Sequence, residues 1–320
     1  MNLIHSKSRQ QEGFSMSLLQ GTSSGIQEVP QINTIYGDSG LGKTTFASKF
    51  EAALFFDIEG GSRRVVTTRL LADKLPDYAS VLKGVDELLT GKHEFKTLNI
   101  DSLSVLERYI HRHLCGVKYA NIEAYDGGFG KGYTAAKDEA ANFMKKVAQL
   151  RDTRGMTINL IAHSMVKAHT DPYDQVTYDR HILQCNEKFA QVIKQLSDNV
   201  LFVKKPITHH TDAKTKKIFA STDGETLLIT EWRPAADAKN RLNLPAELPL
   251  NYDKFVEAIK LGIPKSAGEL MGDIRELVKR VDAETAKRAM EKAETVKAHA
   301  DDLLRIKTKL AEIVSTQQGA

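Results

Sequence analysis

The residues whose types and spacing could do chemistry are concentrated in Gly37-Asp38-Ser39-Gly40-Leu41-Gly42-Lys43-Thr44-Thr45. Gly37 and Gly42 bracket the turn and lead straight into Lys43 and Thr44, the spacing G-x-x-x-x-G-K-[ST]. Gly37, Gly40 and Gly42 let the backbone curl until successive N–H groups point inward, which makes a cradle for phosphate oxygens. Lys43 supplies a cation for the outer phosphates, and the Thr44 hydroxyl is a ligand for a hard divalent cation. An apolar run (Ile32, Ile35, Tyr36) precedes the turn and a helical run, Thr45 to Phe50, follows it. The anion would therefore also meet the positive end of a helix dipole. These nine residues predict a nucleoside triphosphate site.

Further apolar runs end in polar groups suited to the same site. Ala53-Leu54-Phe55-Phe56-Asp57-Ile58-Glu59-Gly60-Gly61 reads as a buried strand of a parallel sheet with functional groups at its carboxyl end. Glu59 can there orient or deprotonate an attacking water. Equally, it can cap the next segment or pair with Arg63 or Arg64. Leu98 and Ile100 lead to Asp101, an acid placed to hold Mg²⁺ together with Thr44, since a hard cation favours carboxylate oxygen. A third strand, Met156 to Ala162, ends at His163-Ser164. Either side chain can sense a γ-phosphate by hydrogen bonding, or simply be satisfied structurally.

These groups need a sheet to hold them and helices to cover it. A chain of 320 residues with 41% hydrophobic content suits one large or two modest domains with a sizeable core. No long uncharged apolar run reads as a membrane span, and residues 1–25 carry no signal-peptide core. Cys115 and Cys185 stand far apart without metal-ligand spacing, which fits a reducing cytoplasm and ordinary thiols. The net charge of +4 permits a polyanionic partner without demanding one. Amphipathic periods predict helices over 79–91, 103–115, 134–151 and near 252–261, and residues 199–203 read as a strand. Lys217 to Phe219 and Thr226 to Thr230 flank Asp223-Gly224, a hairpin signal.

Three segments stand apart. Residues 1–30 show no sustained period and read as an N-terminal arm. Tyr125 to Tyr133 interleaves glycines with Tyr125, Phe129, Lys131 and Tyr133, a composition suited to stacking on unpaired bases, or to a surface loop with packed aromatics. Residues 165–190 are of mixed polarity, with Lys167 and Arg180 among them, and a loop of that length inside a compact domain is usually functional. From Pro264 the composition changes. Leu270, Ile274, Leu277, Val281, Val296, Ala300, Leu303, Ile306, Leu310 and Ile313 recur at helical spacing, with Ser266, Asp282 and Asp301 as caps, and predict a helical module over 265–320.

The order phosphate loop, Phe55-Phe56-Asp57-Ile58-Glu59, Ile100-Asp101-Ser102, Ala162-His163-Ser164 and Ala238-Lys239-Asn240-Arg241 resembles the RecA-like ATPases. More closely, Gly-Lys-Thr-Thr, Asp-x-Glu-Gly-Gly and Ala-Lys-Asn-Arg together are similar to the phage-encoded, RecA-related recombination ATPases that assist single-strand annealing. The likeness spans residues 31 to 250. It implies a RecA-like P-loop NTPase core with a mostly parallel central sheet and leaves the arm and the helical tail unexplained; with the helical spacing read above, the expected fold is α/β, a core over residues 31–264 followed by the C-terminal α-helical module.

The resemblance also implies roles. ATP and Mg²⁺ are the cofactors, Lys43 and Glu59 are catalytic, and Thr44 and Asp101 hold the metal. His163 and Ser164 stand where RecA itself carries a glutamine. Lys239-Asn240-Arg241 matches a Lys-Asn-Lys motif whose basic residues enter the neighbouring subunit's ATP site, so Lys239 and Arg241 would act in trans; the plainer alternative pairs them with local acids such as Asp237. The family's two DNA-binding loops correspond to segments 125–133 and 165–190, which implicates Tyr125, Phe129, Lys131, Tyr133, Lys167 and Arg180. The implied partners are single-stranded DNA, further copies of the chain in a filament or ring, and single-strand-binding or annealing proteins. The implied location is the cytoplasm, that of a bacterial host if the chain is phage-encoded. Two alternatives share the same core: a hexameric DNA helicase-type motor, and a nucleotide-gated DNA-binding or loader protein.

Overall fold

A computed structural model describes residues 29–211, 218–222, 224–262, 267–297 and 299–318. Almost all of the expected N-terminal arm, the turn residue Asp223 and the cap candidate Ser266 lie outside the described residues. In chain order the elements are β1 (Ile32–Gly37), α1 (Lys43–Ala47), β2 (Ala53–Asp57), β3 (Thr68–Leu71), α2 (Tyr78–Thr90), β4 (Thr97–Asp101), α3 (Leu103–Cys115) and α4 (Lys131–Arg154). Then follow β5 (Thr157–Thr170), β6 (Thr177–Leu183), α5 (Glu187–Leu196), β7 (Asn199–Lys204), β8 (Thr208–Thr211), β9 (Ile218–Ser221), β10 (Leu227–Ile229) and β11 (Glu247–Pro249). Helices α6 (Tyr252–Gly262), α7 (Ala267–Leu277), α8 (Ala283–Thr295) and α9 (Ala300–Gln318) complete the chain.

The fold is α/β. Its central sheet runs β11-β10-β7-β1-β5-β4-β2-β3, with β6 added to the outer half of β5. The strands from β7 to β3 are parallel, and β10, β11 and β6 are antiparallel additions. Alternation along each strand feeds two layers. Ile32, Tyr36, Phe56, Ile100 and Leu160 pack against residues of α2 to α5 such as Val81, Leu106, Phe143 and Phe189. On the other face Ile35, Leu201 and Leu228 meet Phe46 of α1 and Phe255 of α6. Local signals set the helix limits. Asp77 and Ser80 form a capping box at the start of α2, and Gly155 ends α4 in the left-handed region (φ 63°). The C-terminal helices share an apolar core of their own, built on Leu270, Ile274, Leu303, Ile306 and Leu310, with Asp282 capping α8 through Thr285 N–H. Among the described residues no helix is long and apolar enough to cross a membrane.

Several expectations need correction. The helix after the phosphate loop ends at Ala47, not Phe50: the N–H groups of Lys49 and Phe50 bond back three residues, a tight turn that returns the chain for β2. The helix expected to open at Thr134 opens at Lys131, so Lys131 and Tyr133 belong to its first turn and not to the preceding loop. Segment 165–190 is not a loop: it holds the outer half of β5, β6 and the start of α5, with Ser164 to Thr170 paired to Thr177 to Leu183. Asp223-Gly224 does not join two paired strands. Strand β9 pairs with β8, while β10 pairs with β7 and β11, between which Leu228 and Ile229 are buried. Asp301 lies within the first turn of α9, and Val314 takes the core position expected for the more exposed Ile313. Strand β3, hydrogen-bonded to β2, had no sequence signal.

Candidate functional site

The parallel register brings the strand ends to one edge. Gly37 pairs with both His163 and Val203, Asp57 pairs with Asp101, and Asp101 with Ile161. The turn from β1 to α1 therefore sits beside the carboxyl ends of β2, β4 and β5, where open α/β sheets bind ligands. Gly37 is required by close approach: a Cβ there would lie 2.3 Å from the Val203 carbonyl oxygen. Gly42 opens α1 at φ 94°, a left-handed conformation that glycine adopts without steric cost. Lys43 is buried, and its Nζ donates to the carbonyls of Gly37 (2.8 Å) and Asp38 (2.7 Å), which holds the loop curled. Burial pushes the Lys43 ammonium down from its ordinary range, opposed by the charges of Asp101, Asp38 and Glu59.

Thr44 Oγ1 donates to Asp101 Oδ2 at 2.8 Å, so the two expected metal ligands converge. Burial, with the charges of Glu59 and Asp57 adding to it, pushes the Asp101 carboxyl up to about 6, against the opposing Thr44 hydrogen bond and Lys43 charge. Two converging hard oxygen donors, one of them a buried carboxyl group, fit a divalent cation such as Mg²⁺.

Glu59 follows β2, and its N–H is held by the Asp101 carbonyl at 3.0 Å. Asp57 sets the turn beyond it, accepting from Gly60 N–H (2.8 Å), Ser62 N–H (3.2 Å) and Ser62 Oγ (2.6 Å). Glu59 Oε1 meets His163 Nε2 at 3.0 Å, and His163 Nδ1 meets Ser39 Oγ at 3.2 Å. Burial raises the Glu59 carboxyl, but the neighbouring Ser102 hydroxyl, the His163 ring bonded to it and Arg108 outweigh that, leaving the group below its ordinary range. An ionised carboxylate only accepts, so His163 Nε2 carries the proton of the contact with Glu59. Ser164 Oγ donates to Asp38 Oδ1. The residues expected to sense phosphate thus touch the phosphate loop itself.

Beside α1 lies a cavity of about 740 Å³, lined by Gly42, Thr45 and Lys49 on one side and by Leu250, Tyr252 and Asp253 on the other. Its lining mixes apolar side chains (Leu41, Phe46, Leu250) with polar ones (Lys49, Asn251, Asp253), which suits a nucleoside next to the phosphate cradle. Tyr252 is steadied by Phe50, with ring centroids 4.9 Å apart. Sequence reasoning named none of the far wall, because β11 and α6 meet α1 only through folding.

Residues 30–242 match the AAA domain family. The chain belongs to that family. AAA domains are ATPase domains, so an ATPase core occupies that span. No curated protein sequence matches the chain. The crystal structure of the RadB recombinase aligns with a TM-score of 0.36 and 11% identity, covering 66% of this chain and 86% of that one.

The remaining expected residues lie elsewhere on this AAA domain protein. Lys239 bridges to Val200, three residues before the Val203 that pairs with Gly37, roughly 10 Å along the strand from the phosphate loop. Its Nζ donates to the carbonyls of Lys194 (3.3 Å), Gln195 (3.0 Å) and Ser197 (2.5 Å), at the carboxyl end of α5. Arg241 pairs with Asp198 at 3.1 Å and keeps 59% of its side chain exposed. Asp237, the acid suggested for them, is taken by Arg180 (2.7 Å) and Lys194 (2.5 Å).

Among the suggested DNA-contacting residues, Phe129 is fully exposed at φ 54°, while Tyr125 packs on Tyr119 at 4.9 Å. Lys131 pairs with Asp126 at 3.1 Å, and Tyr133 OH donates to Glu123 at 3.3 Å. Lys167 pairs with Glu187 across an exposed surface. Arg180 is 13% exposed, between Asp237 and the Trp232 ring at 5.1 Å. Cys115 is buried and Cys185 partly so, both as free thiols.

Proposed function

We propose that this protein is an ATPase that assembles on single-stranded DNA and promotes recombination or strand annealing, with ATP bound at residues 37–45 and the nucleoside in the Tyr252 cavity. The observation that carries the reading is the Ser39–His163–Glu59 bridge at the root of the β5–β6 hairpin. It ties the phosphate loop, a water-orienting carboxylate and a projecting strand pair into one hydrogen-bonded unit. A γ-phosphate arriving at the loop competes for the Ser39 hydroxyl, and the loss is felt by His163, then by Glu59 and by Ser164 at the hairpin's first residue pair.

In this mechanism Glu59 aligns and deprotonates the attacking water, Lys43 turns from the Gly37 and Asp38 carbonyls to the phosphates, and the loop N–H groups hold the developing charge. Thr44 and Asp101 would hold Mg²⁺, which when bound offsets negative charge on the phosphates. Arg241 and Lys239, too far to serve their own subunit's site, would complete a neighbour's. The exposed Phe129 and the hairpin residues around Lys167 would meet DNA, so that hydrolysis changes DNA affinity. Phosphate release measured with and without single-stranded DNA tests this reading. DNA is expected to raise the rate, and a rate indifferent to DNA at saturating concentration would refute the DNA-coupled function.

A further inference from the structure

On the sheet face that carries α1, one register row holds asparagine on four adjacent strands. Asn199 of β7 pairs with Asn33 of β1, Asn33 with Asn159 of β5, and Asn159 with Asn99 of β4. All four are at most 2% exposed. Central strands of a parallel sheet ordinarily hold Val, Ile or Leu at such positions, because an unpartnered amide there costs its full desolvation. Here the amides satisfy one another. Asn199 Nδ2 donates to Asn33 Oδ1 (2.8 Å), Asn33 Nδ2 to Asn159 Oδ1 (2.9 Å), and Asn159 Nδ2 to Asn99 Oδ1 (2.8 Å).

The row continues into backbone at both ends. Arg241 N–H donates to Asn199 Oδ1 at 2.9 Å, and Asn99 Nδ2 donates to the carbonyl of Ala47, the last residue of α1, at 3.3 Å. These ends fix every amide between them. A backbone N–H can only donate and a carbonyl can only accept, so flipping one amide would set two donors or two acceptors face to face. The hydrogen bonds therefore run one way from Arg241 to Ala47 through a buried layer, where each bond polarises the next.

We propose that this row is a relay between the phosphate-loop helix and the segment carrying Lys239 and Arg241, with Asn159 as its central positioning residue. Helix α1 has five residues, with Thr44 tied to Asp101 at one end and Ala47 tied to Asn99 at the other. A shift of so short a helix on nucleotide binding is transmitted to the Ala47 carbonyl. At the far end Arg241 N–H, and the Lys239 N–H and C=O bonded to Val200, set how the basic pair is presented. The proposal rests on reading residues 37–45 as a nucleotide site.

Asn159 touches neither end, so Asn159→Val cuts the row while sparing the phosphate loop and Arg241. It strands amide groups of Asn33 and Asn99, so Asn33→Val/Asn99→Val/Asn159→Val, which removes both of these, leaves Asn199 Nδ2 as the one donor that loses its acceptor and keeps Asn199 Oδ1 for Arg241, is the companion variant. The experiment follows amide hydrogen exchange of Arg241 in the full chain, with and without a non-hydrolysable ATP analogue, while calorimetry measures analogue binding. In the unaltered chain the analogue should change Arg241 exchange by roughly 5–150-fold, the ordinary range of coupling between sites. In Asn159→Val that change should fall below about twofold, with analogue affinity held within about threefold. A merely structural role would lower stability and leave the nucleotide-dependent difference in place. The relay is overturned if Asn159→Val, or the triple variant where the single one does not fold, keeps the full change at Arg241. It is also overturned if the unaltered chain binds the analogue without any change there. Absence of analogue binding would instead overturn the nucleotide site, and the relay with it.

Discussion

Glu59→Gln is the sharpest probe of the proposed chemistry, because the structure says what the substitution keeps and what it removes. Glutamine has the same shape, and its Oε1 can still accept from His163 Nε2, now 3.0 Å from the carboxylate, so the Ser39–His163 contact has no reason to move. Lys43 and the loop carbonyls it holds are untouched. The side chain is about a third exposed, so the loss of its charge should change stability by less than about 0.5 kcal/mol. What disappears is a carboxylate that hydrogen bonds keep ionised next to the phosphate loop. Removing a positioned base slows a reaction by roughly 10²–10⁴-fold. That corresponds to about 3–5 kcal/mol on the barrier. Nucleotide affinity should hold or tighten slightly, since a negative charge facing the phosphates is gone. Fluorescent-nucleotide titration measures affinity and phosphate release measures turnover. Turnover within threefold of the unaltered chain would refute the assignment of Glu59.

Three further outcomes are expected. Replacing Tyr125, Phe129 and Lys131 together with alanine should weaken single-stranded DNA binding by about 1–3 kcal/mol for each base unstacked, read by fluorescence anisotropy; unchanged anisotropy would return that segment to a surface turn. Mixing a Lys239→Ala/Arg241→Ala subunit with a Glu59→Gln subunit, each inactive alone, should restore part of the ATPase activity, because some junctions then pair an intact Glu59 with an intact basic pair; no recovery despite confirmed co-assembly would sink the in-trans arrangement. Glu107, a buried carboxylate that accepts from Asn186 N–H at 2.9 Å, is raised by burial above its ordinary range. Its folded form therefore holds a proton more tightly than the unfolded chain does, which costs stability as pH rises through the folded value. Glu107→Gln should be the more stable protein at neutral pH in urea denaturation, with the advantage vanishing below the ordinary carboxylate range.

What the sequence revealed, and what it hid, follows from how local each signal is. The phosphate loop was legible because glycine spacing, Lys43 and Thr44 act within one turn. Asp101 was legible because a strand must end where its apolar run ends, and its contact with Thr44 follows from the strand order. The α3 limits, Leu103 and Cys115, came directly from periodicity. Segment 165–190 misled because β5 is half inside the core and half beyond it. Residues Lys167 to Thr170 are exposed strand, and exposed strand lacks the apolar alternation by which strands are read. The hairpin signal at Asp223-Gly224 misled for the opposite reason: turn chemistry is local, whereas the partners of β10 are set by burial of Leu228 and Ile229 between β7 and β11.

The site itself divides along the same line. His163 was visible as a strand-end residue, yet its two partners come from the phosphate loop and from β2, so its role between Ser39 and Glu59 is a property of register alone. Asp57 looked like a second strand-end acid, and only its three hydrogen bonds to Gly60 and Ser62 identify it as the group that aims Glu59. The buried asparagines were the most misleading of all. One by one, Asn33, Asn99, Asn159 and Asn199 each weaken a strand assignment, since an isolated amide in a core is a cost. Together in one register row they cancel that cost, and any single replacement restores it. Four such positions therefore constrain one another in a way that no single-strand pattern can express. The same interdependence ties the phosphate-loop helix to Arg241 on the far side of the sheet.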